Sequence, residues 1–476
     1  MLRPLLSCLA LLSAASLAAA DESPPLGHKR TAWESPLVHD HRADVFQLAD
    51  DYIGFLGRHK TEREVVAAAI ELARKAGFRP ASAVEPLKSA RAGDKLLFEE
   101  HGKILALVVL GKRPLSEGAR LVGAHVDAVR IDLKQNPLYA DANLSLLRTQ
   151  YYGNLKKYQW LSLPLELRGV VFRKDGRRVD LHIGADAKDP VLVIPDLLPQ
   201  LSREVDREEG EQVPGENLDP IAGSMPAAGV RGDPFEATVA RILADKYGVE
   251  LDDLRAAELE LVPAQPARSV GLDGALVGGY GQDDRACAWA AVRALLGLKG
   301  TPQHTAIVLL VDKEESGSTG NTGAQSNFLP RVVGALLAAA GDASELHVHD
   351  ALARSLALAA DATSSAHPLY RSLWEKGNAS FLGSGPSFTP AGSSAEMMTR
   401  LKALLEREKV AFQVAAFSKT LGARVEGESI LPDLTRLGVS GLTLSIPVMS
   451  MHAPFELISK ADLYEAVRAY RAWLGD

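Results

Sequence analysis

The sequence predicts an α/β fold: a mixed, largely parallel sheet covered by helices, with an inserted β-rich second domain. Two observations carry this. After Gly274, apolar runs of strand length alternate with helix-length amphipathic segments, the pattern of a sheet covered on both faces. Between Pro137 and Val270 that alternation gives way to short strand-like runs and Pro/Gly-rich stretches. A chain of 476 residues, 46% hydrophobic and 24% charged, is long enough for two cores and too apolar to be disordered.

In chain order, Met1–Ala20 reads as an export signal, with a positive start at Arg3, an apolar run and a small-residue site before Asp21. Its run is shorter than the roughly 20 residues a bilayer needs. The mature protein is therefore expected outside the cytoplasm, periplasmic or extracellular, and without a stable membrane span. Residues 21–44 are polar and contain proline, and read as a leader arm with folded structure starting near Phe46. Thr61 and Glu64 form a capping box that opens a helix ending at Gly77. Lys95–Phe98 and Ile104–Leu110 read as a hairpin turned at His101-Gly102, and Leu121–Asp127 as a further strand.

The catalytic domain is placed at 45–136 and 271–476, and the inserted domain at 137–270. Within the insertion, Leu165–Phe172, Val179–Ile183 and Val191–Ile194 are strand candidates, and the charged segment from Arg203 to Gly232 reads as a loop. Asp233-Pro234 with Glu236 starts a helix that Gly248 stops. After Gly274 come a helix over 285–298, a buried strand over 306–311, helices near 331–340 and 395–408, a strand over 437–446, and a last helix capped by Ser459.

Composition narrows the chemistry. With 53 Lys+Arg against 60 Asp+Glu, a net charge of −7 and no long basic block, nucleic acid is not the main partner. Of the 2 cysteines, Cys8 lies in the export signal and Cys287 has no partner, so a metal must be held by imidazole and carboxylate.

In a parallel sheet functional side chains collect at the carboxyl ends of strands. Five candidates stand at such positions: His125, Asp283 (followed by Asp284), Glu315 (preceded by Glu314), Asp361 and His452. Asp127, two residues beyond His125 on the same face of an extended chain, suits the carboxylate that fixes a ligand imidazole. Adjacent carboxylates at the end of a buried strand, as at Glu314-Glu315, are costly unless a metal holds them. A dinuclear hydrolytic site needs a bridging carboxylate, a His and a carboxylate for each ion, and one free carboxylate to take a proton from the attacking water. The five candidates meet the ligand count for two divalent ions and leave Glu314 as the base. The Gly/Ser/Thr run at Gly317–Gly323 lacks the Lys-Ser/Thr ending of a phosphate loop.

The strings GAHVDAVRIDLKQNP, GQDDRACAWAAVRAL, DKEESGS, AADATSSAHPLY and SMHAPFEL, in this order and spacing, resemble the aspartyl aminopeptidase family of dinuclear zinc exopeptidases. The resemblance runs from about Asp51 to the C-terminus and is weakest in the insertion. It implies His125 and Asp361, or Glu315 and His452, as terminal ligands of the two ions, with Asp283 as the bridge, Asp127 orienting His125, and Glu314 as general base. In relatives of this fold the bridging Asp often precedes a cis peptide, which favours Asp283 over Asp284. The ions implied are zinc, although manganese and cobalt also suit such N/O donors. His367-Pro368 matches the family's His-Pro pair and makes His367 a substrate-facing candidate. The resemblance further implies peptide substrates, a dimerisation domain inserted into the catalytic one, and a homo-oligomer, the dodecameric tetrahedral shell being the family's large form.

Two departures matter. The family's Gly-rich run leading to His-x-Trp is replaced by Tyr152-Gly153-Asn154-Leu155-Lys156-Lys157-Tyr158-Gln159-Trp160, which lacks the His. Lys157 or its neighbour Lys156 is the substitute cation in that stretch. The family's basic residue after Gly-Pro is absent where Gly385-Pro386 continues as Ser387-Phe388-Thr389-Pro390, so an acidic P1 preference does not follow. The leading function is a metal-dependent aminopeptidase acting through a water held between two metals and a Glu base. Its rivals are a co-catalytic metal amidohydrolase or carboxypeptidase on the same fold, and a non-catalytic peptide-binding or assembly protein.

Overall fold

The computed structural model describes residues 26–27, 30–85, 87, 89–202, 213–342, 344–388, 394–415 and 429–476. The expected export signal, Met1–Ala20, lies outside them.

Two sheets organise the chain. The larger, of 13 strands, runs Arg79–Ala81, Lys95–Glu100, Ile104–Val109, Thr305–Val311, Ala119–His125, Leu356–Ala359, Ser440–Met449, Glu456–Ser459, Leu276–Gly279 and Arg268–Val270, with three short strands beside this path. Its four middle strands, Thr305–Val311 to Ser440–Met449, are mutually parallel, and the path on either side of them is largely antiparallel. Every residue of Ala119–His125 and of Thr305–Val311 is buried, as expected for strands covered on both faces. Burial of each Val, Leu or Ile there contributes about 1.5–3 kcal/mol. The helix Gln282–Leu296 lies against Ala119–His125 with Ala286 to Ala291 buried along both its sides, and Lys460–Gly475 packs on it.

The seven-stranded second sheet runs Ala257–Pro263, Arg130–Asp141, Leu144–Tyr152, Ile221–Gly223, Leu192–Val193, Pro164–Phe172 and Arg178–Ile183, with an additional pairing of Ala257–Pro263 with Pro164–Phe172. Ion pairs between the units fasten it to the part built on the larger sheet, among them the buried Lys60 to Glu166 at 2.8 Å and the part-buried Arg168 to Glu64 at 2.9 Å.

The structure departs from the sequence expectations at three places. The leader arm is folded well before Phe46: Ser35 caps a helix over Pro36–Asp40, Arg42–Arg58 follows, and Ala32, Val38 and Val45 pack with Ala461. Pro36, in this proline-containing arm, occupies the first turn of a helix, where its missing N–H costs nothing. The second sheet occupies Arg130 to Pro263 and so begins and ends before the 137–270 boundaries. Pro137 does not end a strand; it falls where the Arg130–Asp141 pairing shifts register between Leu133 and Leu138. Within the expected loop, residues 203–212 lie outside the described ones, but Ile221–Gly223 is a strand paired with Leu144–Tyr152 and Leu192–Val193.

Candidate metal centre

Because the four middle strands are parallel, their carboxyl ends meet at one edge of the sheet, and the chain turns there. His125 ends Ala119–His125; Glu314 and Glu315 follow Thr305–Val311; Asp361 follows Leu356–Ala359; His452 follows Ser440–Met449. Leu276–Gly279 reaches the same edge and hands Asp283 and Asp284 to the head of Gln282–Leu296, with a cis peptide between the two aspartates.

The side chains converge. His125 Nε2 lies 3.3 Å from Asp283 Oδ1, 3.7 Å from Asp361 Oδ1 and 3.9 Å from Glu314 Oε2. His452 Nε2 lies 3.3 Å from Asp283 Oδ2 and 3.5 Å from Glu315 Oε2. Each oxygen of Asp283 thus faces a different imidazole. Ligand atoms of His125, Asp283 and Glu315 lie within 4.8 Å of one another, as do those of His125, Asp284 and Asp361. Asp284 differs from Asp283 in its partners: its Oδ2 accepts the backbone N–H of His125 at 3.2 Å.

Both imidazoles are held through Nδ1, which leaves Nε2 facing the cluster. His125 Nδ1 is 3.2 Å from Asp127 Oδ1 and 3.1 Å from the Asp127 carbonyl. His452 Nδ1 is 2.9 Å from the carbonyl of Asn154. Asp127, fully buried, also accepts the backbone N–H groups of Glu314 at 3.2 Å and Glu315 at 3.1 Å, and the hydroxyl of Tyr152 at 2.7 Å.

Glu456, inside a quoted motif but not singled out in the sequence, does the same on the other side. It accepts the backbone N–H of His452 at 2.7 Å and those of Gln282 at 2.6 Å and Asp283 at 3.3 Å. That contact holds His452 in the left-handed region, at φ 63°, which a non-glycine residue enters only at a cost of about 1–3 kcal/mol.

The electrostatics call for cations. Burial, with repulsion from Asp361, Asp283 and Asp127, pushes Glu314 up to about 8. Burial and neighbouring carboxylates raise Asp361 to about 6 and lift Glu315 and Asp284 well above the usual range. Asp283, despite burial, is held well below that range by His125 and His452. Although burial disfavours its charged form, His452 is pushed up to about 10 by Asp283 and Glu315. Two imidazoles cannot neutralise so many carboxylates, and Asp283 Oδ1, Asp284 Oδ1 and Glu315 Oε1 are buried without a hydrogen-bond donor. These residues fit divalent metal: the donors are imidazole and carboxylate, the unpartnered Asp283 Oδ1 faces His125 Nε2, and positive charge offsets the repulsion.

The remaining candidates sit differently. His367 accepts the N–H of Leu369 on Nδ1 at 3.1 Å and lies 4.9 Å from the Tyr370 ring. Lys157 places its ammonium 4.8 Å from the Tyr151 ring, and Lys156 is exposed. Trp160 is a core residue of the second domain, edge-on to Tyr280 at 6.2 Å. Cys287 is buried, its thiol donating to the Asp361 carbonyl at 3.0 Å.

Residues 55–474 match the family described as aminopeptidase I zinc metalloprotease (M18). The probable M18 family aminopeptidase 1 of Borrelia garinii subsp. bavariensis is 37% identical over 461 residues, covering 94% of this chain and 99% of its own. That of Clostridium acetobutylicum is 38% identical over 449 residues, covering 91% and 95%. A probable M18 family aminopeptidase 2 of Stutzerimonas stutzeri is less similar, at 28% over 436 residues. The crystal structure of an M18 aminopeptidase from Thermotoga maritima superposes with a TM-score of 0.87 at 34% identity, covering 94% of this chain and 99% of that one. With a family match over most of its length and relatives above 30% identity, the chain belongs to the M18 family of zinc metalloproteases and is a metal-dependent aminopeptidase.

Proposed function

We propose that the cluster is a dinuclear centre in which Asp283 bridges two ions, one completed by His125 and Asp361 and the other by His452 and Glu315, with Glu314 as general base. The observation that carries this is Asp283 itself, whose two oxygens lie 3.3 Å from the Nε2 atoms of two different histidines. Asp284 is left out of the bridge because its Oδ2 already accepts the His125 amide, whereas both oxygens of Asp283 face imidazoles. When bound, two divalent ions supply Lewis acidity, polarising the scissile carbonyl and making water more acidic.

The chain's own residues do the rest. Glu314 stands beside the cluster, its Oε2 3.9 Å from His125 Nε2, farther than the carboxylates assigned as that ion's ligands. It takes the proton of the attacking water and delivers it to the leaving amine. Asp127 and Glu456 hold the turns that carry the ligands, so the donors are in place before substrate arrives. The surplus of carboxylate around the cleft favours the positive α-amino end of a peptide.

Free aminoacyl amides are therefore expected to turn over with kcat/KM about 10- to 100-fold or more above that of N-acetylated counterparts, the loss expected for a charged contact. Equal rates on blocked and free substrates would favour the amidohydrolase or carboxypeptidase reading.

Assembly and export complete the proposal. Leu197, Leu198, Leu201, Met225 and Ile242 expose apolar surface on the inserted domain, which supports a homo-oligomer built through it. One solved neighbour, 22% identical, is a yeast aminopeptidase dodecamer. Met1–Ala20 supports export, and no helix among the described residues is long and apolar enough to cross a membrane. Native mass spectrometry of the protein recovered from cells tests both: a subunit beginning at Asp21 in a multimer is expected, and a monomer retaining Met1 in the cytosolic fraction would contradict both.

A further inference from the structure

We propose that Tyr152-Gly153-Asn154, supplied by the inserted domain, positions both imidazoles of the centre, so that metal affinity depends on how that domain is seated. This rests on the dinuclear reading above.

Tyr152 ends the strand Leu144–Tyr152 of the second sheet. Its hydroxyl donates to Asp127 Oδ2 at 2.7 Å, while the other oxygen of Asp127 faces His125 Nδ1 at 3.2 Å. Asp127 has no exposure, so each of its donors replaces lost water, and removing one leaves a buried oxygen underused. The Tyr152 ring is itself pinned, with the Arg130 guanidinium 3.9 Å from its centre. Arg130 in turn pairs with Asp132 at 2.8 Å and Glu260 at 3.3 Å, both on the second sheet. The position of that sheet is thereby transmitted to His125 through three contacts.

Gly153 lets the chain pass flat over the other half of the centre. Its φ is +75°, and a Cβ there would lie 2.7 Å from Val129 Cγ1 and 3.4 Å from both Glu315 Cβ and Glu315 Oε2. A side chain would therefore strain the backbone and displace Val129, while coming into van der Waals contact with Glu315. One residue on, the Asn154 carbonyl faces His452 Nδ1 at 2.9 Å. A carbonyl only accepts, so Nδ1 carries the proton and Nε2 is the free donor to metal. One tripeptide thus reaches Asp127 for His125, and Glu315 and His452 for the other half.

Full-length protein stripped of metal and titrated with zinc against a chromogenic chelator tests this. Wild type is expected to show two binding steps. Tyr152→Phe, which removes only the hydroxyl, should weaken one step about 10-fold or more, the usual range for a residue behind a ligand. It should leave the other step within about 2-fold, with kcat lowered, KM for a free aminoacyl amide little changed, and the melting temperature of the zinc-free protein unaltered. Gly153→Ala should weaken the step that Tyr152→Phe spares, and Tyr158→Phe, in the same stretch but exposed, should change neither. Zinc curves for Tyr152→Phe and Gly153→Ala that overlay wild type, or both steps weakened equally by Tyr152→Phe together with a lower melting temperature, would overturn the positioning role. If wild type itself takes up fewer than two zinc ions, the dinuclear reading fails, and this inference with it.

Discussion

Glu314→Gln lowers kcat by about 10²- to 10⁴-fold, the range for loss of a general base, while zinc content, substrate affinity and fold are retained. The change keeps the size and shape of the side chain, replaces one acceptor oxygen by an amide donor and removes its ability to accept a proton. On the proposed reading Glu314 serves that role and does not ligate metal. Its side chain is more open than those of Asp283 and Glu315, and its nearest oxygen lies 3.9 Å from His125 Nε2 against 3.3 Å for Asp283 and 3.7 Å for Asp361. Burial and repulsion from neighbouring carboxylates push its carboxyl up to about 8. Cations at the centre favour the ionised form, which is the form a base needs at neutral pH. A Glu314→Gln protein with wild-type kcat would remove Glu314 from proton transfer.

Asp283→Ala has the second large effect and a different signature: both ions are lost and activity goes with them, whereas Glu315→Ala weakens one. On the proposed reading Asp283 would serve two cations, so its removal would deprive both of a ligand and of the negative charge that offsets their mutual repulsion. Zinc content falling from two per chain toward none for Asp283→Ala, and to about one for Glu315→Ala, is expected from elemental analysis after dialysis. Retention of one tightly held ion in Asp283→Ala would assign Asp283 to a single ion.

Much of the catalytic fold was legible because its strands are apolar throughout and its helices carry explicit caps. The Thr61–Glu64 capping box and the Ser459 cap are both formed. Legibility failed where burial or turn chemistry ran against composition. The hairpin Arg130–Asp141 with Leu144–Tyr152 turns at Ala142 and Asn143, both at positive φ, without the glycine that usually marks such a turn. Ala257–Pro263 is a further strand that the sequence expectations lack, and its Glu260 is buried beside Arg130. Asp361 and His452 stand at strand ends in the sequence, but only the parallel pairing brings them beside His125 and Asp283. The roles of Tyr152 and Glu456 are not legible in the sequence because they are contacts to other residues' backbone and side chains, which sequence spacing does not encode. Tyr152 comes from a different sheet altogether.

The account depends on Asp283 standing between two ions. Anomalous diffraction at the zinc edge from crystals of the zinc-loaded protein measures this directly. Two peaks per chain are expected, roughly 3.5–4 Å apart, one beside His125 and Asp361, the other beside His452 and Glu315, each in contact with one oxygen of Asp283. A single peak at full zinc loading, or two peaks bridged by Asp284 with Asp283 unligated, would contradict it.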